Sequence, residues 1–198
     1  IGGNPLLTRT GALYHDIGKT YDPIFFIENQ TGGINPHNQC DYDISAQHII
    51  NHVTKGVELA KKYNLPEAII NFIRTHHGKS KVKYFYNSFK NQYPDREIDE
   101  SLFTYDGPDP VSRECSVVMM ADAVEAASRT LADKTEENIT KLVDNIIDNQ
   151  VQEGRFANAD ITFKDIGIVK KVFIEMLTSI YHSRIAYPKL EKKEDNQH

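Results

Sequence analysis

Apolar residues recur along this chain at intervals of three and four, the spacing of one helical face, almost from end to end. Ile139, Leu142, Val143, Ile146 and Ile147 keep that register without a gap. Ile166, Val169, Phe173, Met176, Leu177 and Ile180 repeat it behind Thr162-Phe-Lys-Asp165, a Thr-x-x-acid sequence able to cap a helix start. Nearer the beginning, Leu6, Leu7, Ala12 and Leu13 predict a short helix that Gly18 closes. Ile49, Val53, Val57 and Ala60 line one face of a helix over residues 45–63. Asn64-Leu-Pro66 breaks it, and the proline suits the first turn of a third helix, which runs to His76–His77 and ends at Gly78. Residues 82–92 predict another, carrying Tyr84, Phe85 and Tyr86. Asp109-Pro110 is expected to cap and start a helix that, from Ser116 on, is apolar almost all round and therefore central and buried.

Between these segments lie a loop over residues 20–43, with turn signals at Thr31-Gly-Gly and Asn35-Pro36, and a polar connection over residues 93–110. No alternating strand and no internal repeat interrupts the pattern. The expectation is an all-α domain, a helical bundle over residues 1–188 followed by a polar tail at 189–198. A chain of 198 residues buries roughly 70% of its unfolded surface, enough for a core without disulfides. Cys40 and Cys115 have no metal-ribbon spacing and read as free thiols of a reducing compartment. No apolar run is long enough to span a membrane, so this stretch reads as soluble by itself. It opens Ile-Gly-Gly-Asn-Pro, with neither an initiator methionine nor a signal peptide, as if taken from a longer protein. A net charge of -5 without a dense Lys/Arg cluster argues against a nucleic acid polymer as partner. A small phosphorylated ligand fits if metal ions supply positive charge locally.

The candidate chemistry lies in His15–Asp16, His52, His76–His77 and Asp122, since imidazole and carboxylate are the usual protein ligands of divalent transition metals. Asp122 sits among Met119, Met120, Ala121, Ala123 and Val124, where a carboxylate needs a partner; a cation or a buried donor would serve. His76 and His77 close a helix C-terminus, where an imidazole either caps carbonyls or binds a cation beyond the helix end. His52 is at the edge of its apolar stripe, the place of a boundary histidine or of a ligand. His48 reads as a solvated helix residue, and His37 as a loop residue able to sit over a cleft. Lys19 follows the His-Asp pair and is placed either to reach a phosphate oxygen or simply to remain solvated.

Taken together, His15-Asp16-Ile-Gly-Lys19, His52, His76-His77 and Asp122 resemble the ordered motif of HD-domain metal-dependent phosphohydrolases. Further segments, Asn35-Pro-His37, Phe72-Ile-Arg-Thr-His-His-Gly78, Lys83-Tyr-Phe-Tyr86, Met120-Ala-Asp-Ala-Val-Glu-Ala126 and Asn158-Ala-Asp-Ile-Thr-Phe163, are similar to one branch. That branch is the cytoplasmic domain of seven-transmembrane HD receptors, the PgpH-type cyclic di-AMP phosphodiesterases. The resemblance implies two divalent metals, iron or manganese. Asp16, His52, His76 and His77 would hold one; His15, Asp16, Asp122 and a histidine from a helix upstream of Ile1 would hold the other. It implies that Asp16 bridges the metals and that a bridging hydroxide opens cyclic di-AMP to the linear dinucleotide. Asp16 and Lys19 are then the catalytic residues, and Lys19, Tyr84 and Tyr86 candidates to bind substrate; Phe85 reads as core. It further implies a parent protein embedded in the inner membrane with this portion in the cytoplasm, and it leaves a homodimer open. Two alternatives share the residues: a phosphohydrolase of cyclic di-GMP, guanosine tetraphosphate or a nucleoside monophosphate, or a nucleotide-sensing module without turnover.

Overall fold

The computed structural model describes residues 1–182 apart from Thr31, Gly32 and Ile34. The expected polar tail at 189–198 and most of the Thr31-Gly-Gly turn lie outside the described residues. Among the described residues, seven α-helices make up the fold: α1 (Pro5–Tyr14), α2 (Tyr42–Lys62), α3 (Glu67–Thr75), α4 (Lys83–Gln92), α5 (Arg113–Ser128), α6 (Glu136–Gln152) and α7 (Phe163–His182). Among the described residues there is no strand, only an isolated antiparallel bridge between Lys81 and Thr104. The expected all-α bundle is what forms.

Helix α3 is the hub. One side packs Ile70 and Ile73 against Ala60 of α2. Its other side inserts Phe72 against Cys115 and Val118 of α5, with Leu7 of α1 alongside. Gly11 lets α1 cross α3, since a Cβ there would collide with the Phe72 ring. The largest apolar cluster joins α5, α6 and α7 through Met120, Ile139, Val143 and Ile147, all fully buried. Each such side chain contributes about 1.5–3 kcal/mol. The Thr162–Asp165 cap forms reciprocally: Asp165 N–H donates to Thr162 Oγ1 and Thr162 N–H to Asp165 Oδ2, at 3.1 and 3.0 Å.

Three local expectations are corrected. Gly18 does not close α1, which ends at Tyr14; it lies inside a 3-10 turn, Ile17–Thr20. Its backbone is pressed onto α2, where a Cβ would strike the His52 carbonyl, so the glycine is there for close approach. Ser112, not Asp109, caps α5, its side chain accepting from Cys115 N–H. Helix α5 is also not buried all round: Glu125 and Ala126 are exposed, and Asp122 is half-buried.

Candidate metal centre

Four separate segments deliver six donors to one spot. The end of α1 supplies His15 and Asp16, the middle of α2 supplies His52, the end of α3 supplies His76 and His77, and α5 supplies Asp122. Two triads result, His52/His76/His77 and His15/Asp16/Asp122, each with ligand atoms within 4.8 Å of one another. All six residues singled out from the sequence are therefore brought together.

Asp16 joins the triads. Its Oδ1 is 3.3 Å from His52 Nε2 and 3.6 Å from His76 Nε2. Its Oδ2 is 3.2 Å from His15 Nε2 and 2.8 Å from Lys19 Nζ. Asp122 spans them less tightly, with Oδ1 3.5 Å from His15 Nε2 and Oδ2 3.7 Å from His77 Nδ1.

Three of the imidazoles are set the same way. His15, His52 and His76 each turn Nδ1 onto the carbonyl three residues earlier, of Ala12, Ile49 and Ile73, at 2.8, 2.5 and 2.8 Å. A carbonyl can only accept, so Nδ1 carries a proton and Nε2 is the atom turned inward, the arrangement usual for metal-ligating histidines. His52 Nε2 and His76 Nε2 then face each other at 3.0 Å. Two lone pairs at that distance repel unless a cation lies against both. His15 Nε2 and Asp16 Oδ1 are likewise buried with no hydrogen-bond partner. This donor set fits divalent transition metal ions.

The electrostatics differ between the triads. Burial, reinforced by the neighbouring His52, lowers His76 from 6.5 to about 4. Burial, with His76 and His52 beside it, also drives His77 well below its ordinary value. Burial opposes charge on His15 too, but Asp122 and Asp16 outweigh it and raise His15 to about 10. Asp16 resists the upward push of burial because His15, His52 and Lys19 hold it far below the carboxylate range.

Lys19 is not free. Its Nζ is shared between Asp16 Oδ2 and Glu28 Oε1, at 2.8 and 2.7 Å, and lies over the Phe26 ring. Burial alone would lower its pKa, but the two carboxylates raise it, so the ammonium stays charged. Glu28 and Tyr105, whose ring stacks on His77 at 4.2 Å, are site residues that the sequence did not reveal. Glu28 lies in a single 3-10 turn, Ile27–Asn29, and Tyr105 in an irregular connection, neither long enough for a periodic register, so no spacing signal points to them.

The aromatic candidates separate. Tyr84 is 74% exposed at the rim of a cavity of about 820 Å³. Tyr86 donates its hydroxyl to Glu100 at 2.7 Å and packs edge-on against Phe103, which gives it a part in packing. Phe85 is buried, as expected. His37 does line the large cavity, its Nε2 against the Phe25 carbonyl at 2.9 Å. His48 is not merely solvated: its ring stacks on Phe25 at 3.8 Å and meets Asp22. Cys40 and Cys115 are both free.

The model of the HD domain matches residues 1–127, which hold all six donors, and the chain belongs to that family. Cyclic-di-AMP phosphodiesterase PgpH of Bacillus subtilis is 41% identical over 193 residues, covering 98% of this chain and 27% of that protein. Its counterpart in Listeria monocytogenes is 41% identical over 188 residues, 95% of this chain and 26% of that one. The crystal structure of the L. monocytogenes phosphodiesterase PgpH HD domain in complex with cyclic-di-AMP matches with a TM-score of 0.85 at 39% identity, covering 91% of this chain and 83% of that one. The chain thus spans about a quarter of the length of these curated relatives.

Proposed function

We propose that this chain is the catalytic domain of a metal-dependent phosphodiesterase that opens cyclic di-AMP to the linear dinucleotide. The observation that carries this reading is Asp16, which offers one oxygen to each of two adjacent triads. In this reading Asp16, His52, His76 and His77 hold one divalent ion, and His15, Asp16 and Asp122 belong to the other. Iron and manganese both suit a shell of imidazole and carboxylate. When bound, such a pair supplies an acidified water as nucleophile and Lewis-acid neutralisation of phosphate oxygens.

The chain's own residues do the rest. The carbonyls of Ala12, Ile49 and Ile73 hold Nδ1 of the three imidazoles and so aim each Nε2 at the centre. Glu28 holds Lys19 charged and beside Asp16, where its ammonium donates to a phosphate oxygen and offsets charge that develops in the transition state. Tyr84 offers an exposed ring on which a base can stack. Cyclic di-AMP as substrate rests on the relatives and the solved complex named above, because metal ligands alone accept any phosphoester. The same kinship supports a membrane-embedded parent with this domain in the cytoplasm; no helix among the described residues is itself long and apolar enough to cross a membrane.

Asp16→Ala is the test. The metal-loaded variant is expected to lose hydrolysis of cyclic di-AMP, and unchanged turnover would defeat the assignment. A panel with cyclic di-GMP, guanosine tetraphosphate and nucleoside monophosphates, read by product identity, tests the substrate separately.

A further inference from the structure

Three of the four imidazoles at the centre are fixed by a carbonyl, and His77 is not. His15, His52 and His76 each hold Nδ1 on the carbonyl three residues earlier. The carbonyl in that place for His77 belongs to Arg74, and Gly107 is laid against it, so closely that a Cβ at Gly107 would stand 2.6 Å from the oxygen. Nδ1 of His77 faces Asp122 Oδ2 at 3.7 Å, beyond hydrogen-bonding distance. His76 tilts against His77 at 4.1 Å, but it is a donor of the same triad and no outside support. What does hold His77 is Tyr105. The two rings stack with centroids 4.2 Å apart and planes 25° from parallel.

The tyrosine is itself firmly placed. It is only 6% exposed, and its hydroxyl has no hydrogen-bond partner among the described residues, so the contact is made by the ring. Its backbone N–H donates to the Ser80 carbonyl at 2.9 Å. Two residues earlier, the Phe103 carbonyl accepts from Val82 N–H at 2.8 Å, and the Phe103 ring is buried with Phe85 and Phe89. Two residues later, Gly107 lies on the carbonyls of both Arg74 and Gly78. Asp109 then accepts from Lys79 N–H at 3.4 Å and from Arg155 Nη1 at 3.3 Å. Residues 103–110 thus form a strap tied down around the turn that carries His77. A donor aimed by a rigid support is already in place when its ligand arrives.

We infer that Tyr105 is a positioning residue: its ring, carried on the 103–110 strap, does for His77 what a backbone carbonyl does for the other three imidazoles, and so readies the His52/His76/His77 triad for a metal. This deepens the proposed function and rests on its metal centre, not on which phosphoester is cut.

Calorimetric titration with manganese reads the effect without any substrate. Tyr105→Leu keeps apolar bulk but loses the stack. It is expected to weaken manganese binding about tenfold or more and to lower cyclic di-AMP turnover with it, the range usual when the support of a metal ligand is lost. Tyr105→Phe keeps the stack and is expected to stay within about twofold of the unaltered protein on both. Gly107→Ala presses a methyl onto the Arg74 carbonyl and lifts the strap while leaving the tyrosine in place, and it is expected to weaken manganese binding in the same direction. Thermal unfolding of the metal-free proteins is followed alongside. Ordinary manganese affinity in both Tyr105→Leu and Gly107→Ala overturns the inference, and so does a lowered melting temperature as their only change, which marks packing alone. An equal loss in Tyr105→Phe overturns it too, by moving the role to the hydroxyl. An unaltered protein that takes up no manganese defeats the metal centre itself, and this inference with it.

Discussion

His52, His76 and His77 pack their imidazoles so that a ring nitrogen of each converges on one point, whereas His15, Asp16 and Asp122 place one base between two carboxylates at a half-open rim. At the outer triad Asp122 and Asp16 favour a proton on His15, held up to about 10, although its Nε2 makes no hydrogen bond to either carboxylate. The inner triad differs. His52 and His76 commit Nδ1 to carbonyls, burial and mutual repulsion keep His76 near 4, and His52 Nε2 faces His76 Nε2 at 3.0 Å. At the outer half a proton on His15 supplies the positive charge that the carboxylates favour, whereas at the inner half two buried Nε2 atoms face each other. The lesson is that the inner half exists for a ligand.

The sharpest way to break this contrast is at His52. His52→Leu in the metal-loaded protein is expected to reduce hydrolysis on the order of a thousandfold, the several kcal/mol that a metal supplies to a transition state. The same variant, stripped by chelator, is expected to melt a few degrees above the chelated parent, because an apolar side chain removes the opposed lone pairs. A lower melting temperature would show that the inner triad is satisfied after all.

At the outer triad, a metal must displace the His15 proton. In the chelated protein that proton is bound at any pH below about 10, so affinity there should rise about tenfold per pH unit between pH 7 and 9. At the inner triad, His76 has already lost its proton above about 4, and affinity should be flat over the same range. Calorimetric titration at two pH values reads both steps; parallel behaviour would erase the distinction. Glu28→Gln should give the smallest effect. Lys19 keeps its contact with Asp16 but loses one of two anchors, and turnover should fall about tenfold without loss of metal.

Much of this was readable in the amino-acid order because each donor occupies a position where helical periodicity alone would not put it. Asp122 interrupts an apolar run, and His76–His77 stand at a helix end. What stayed hidden depends on partners distant in sequence. Lys19 reads as solvated or substrate-bound because Glu28, nine residues on in a short 3-10 turn, gives no local sign of turning back to it. Asp109 resembled a cap, but the fold uses it to accept from Arg155 Nη1 at 3.3 Å beside the His77–Gly78 turn, and Ser112 does the capping. Gly18 looked like a helix stop since contact with the α2 backbone cannot be inferred from neighbours in sequence.

The paired centre itself is tested most directly by anomalous scattering from a crystal soaked in manganese. The account predicts two adjacent peaks flanking Asp16, one amid His52, His76 and His77 and one beside His15 and Asp122. Cyclic di-AMP hydrolysis by a protein that shows no peak at either triad would contradict it.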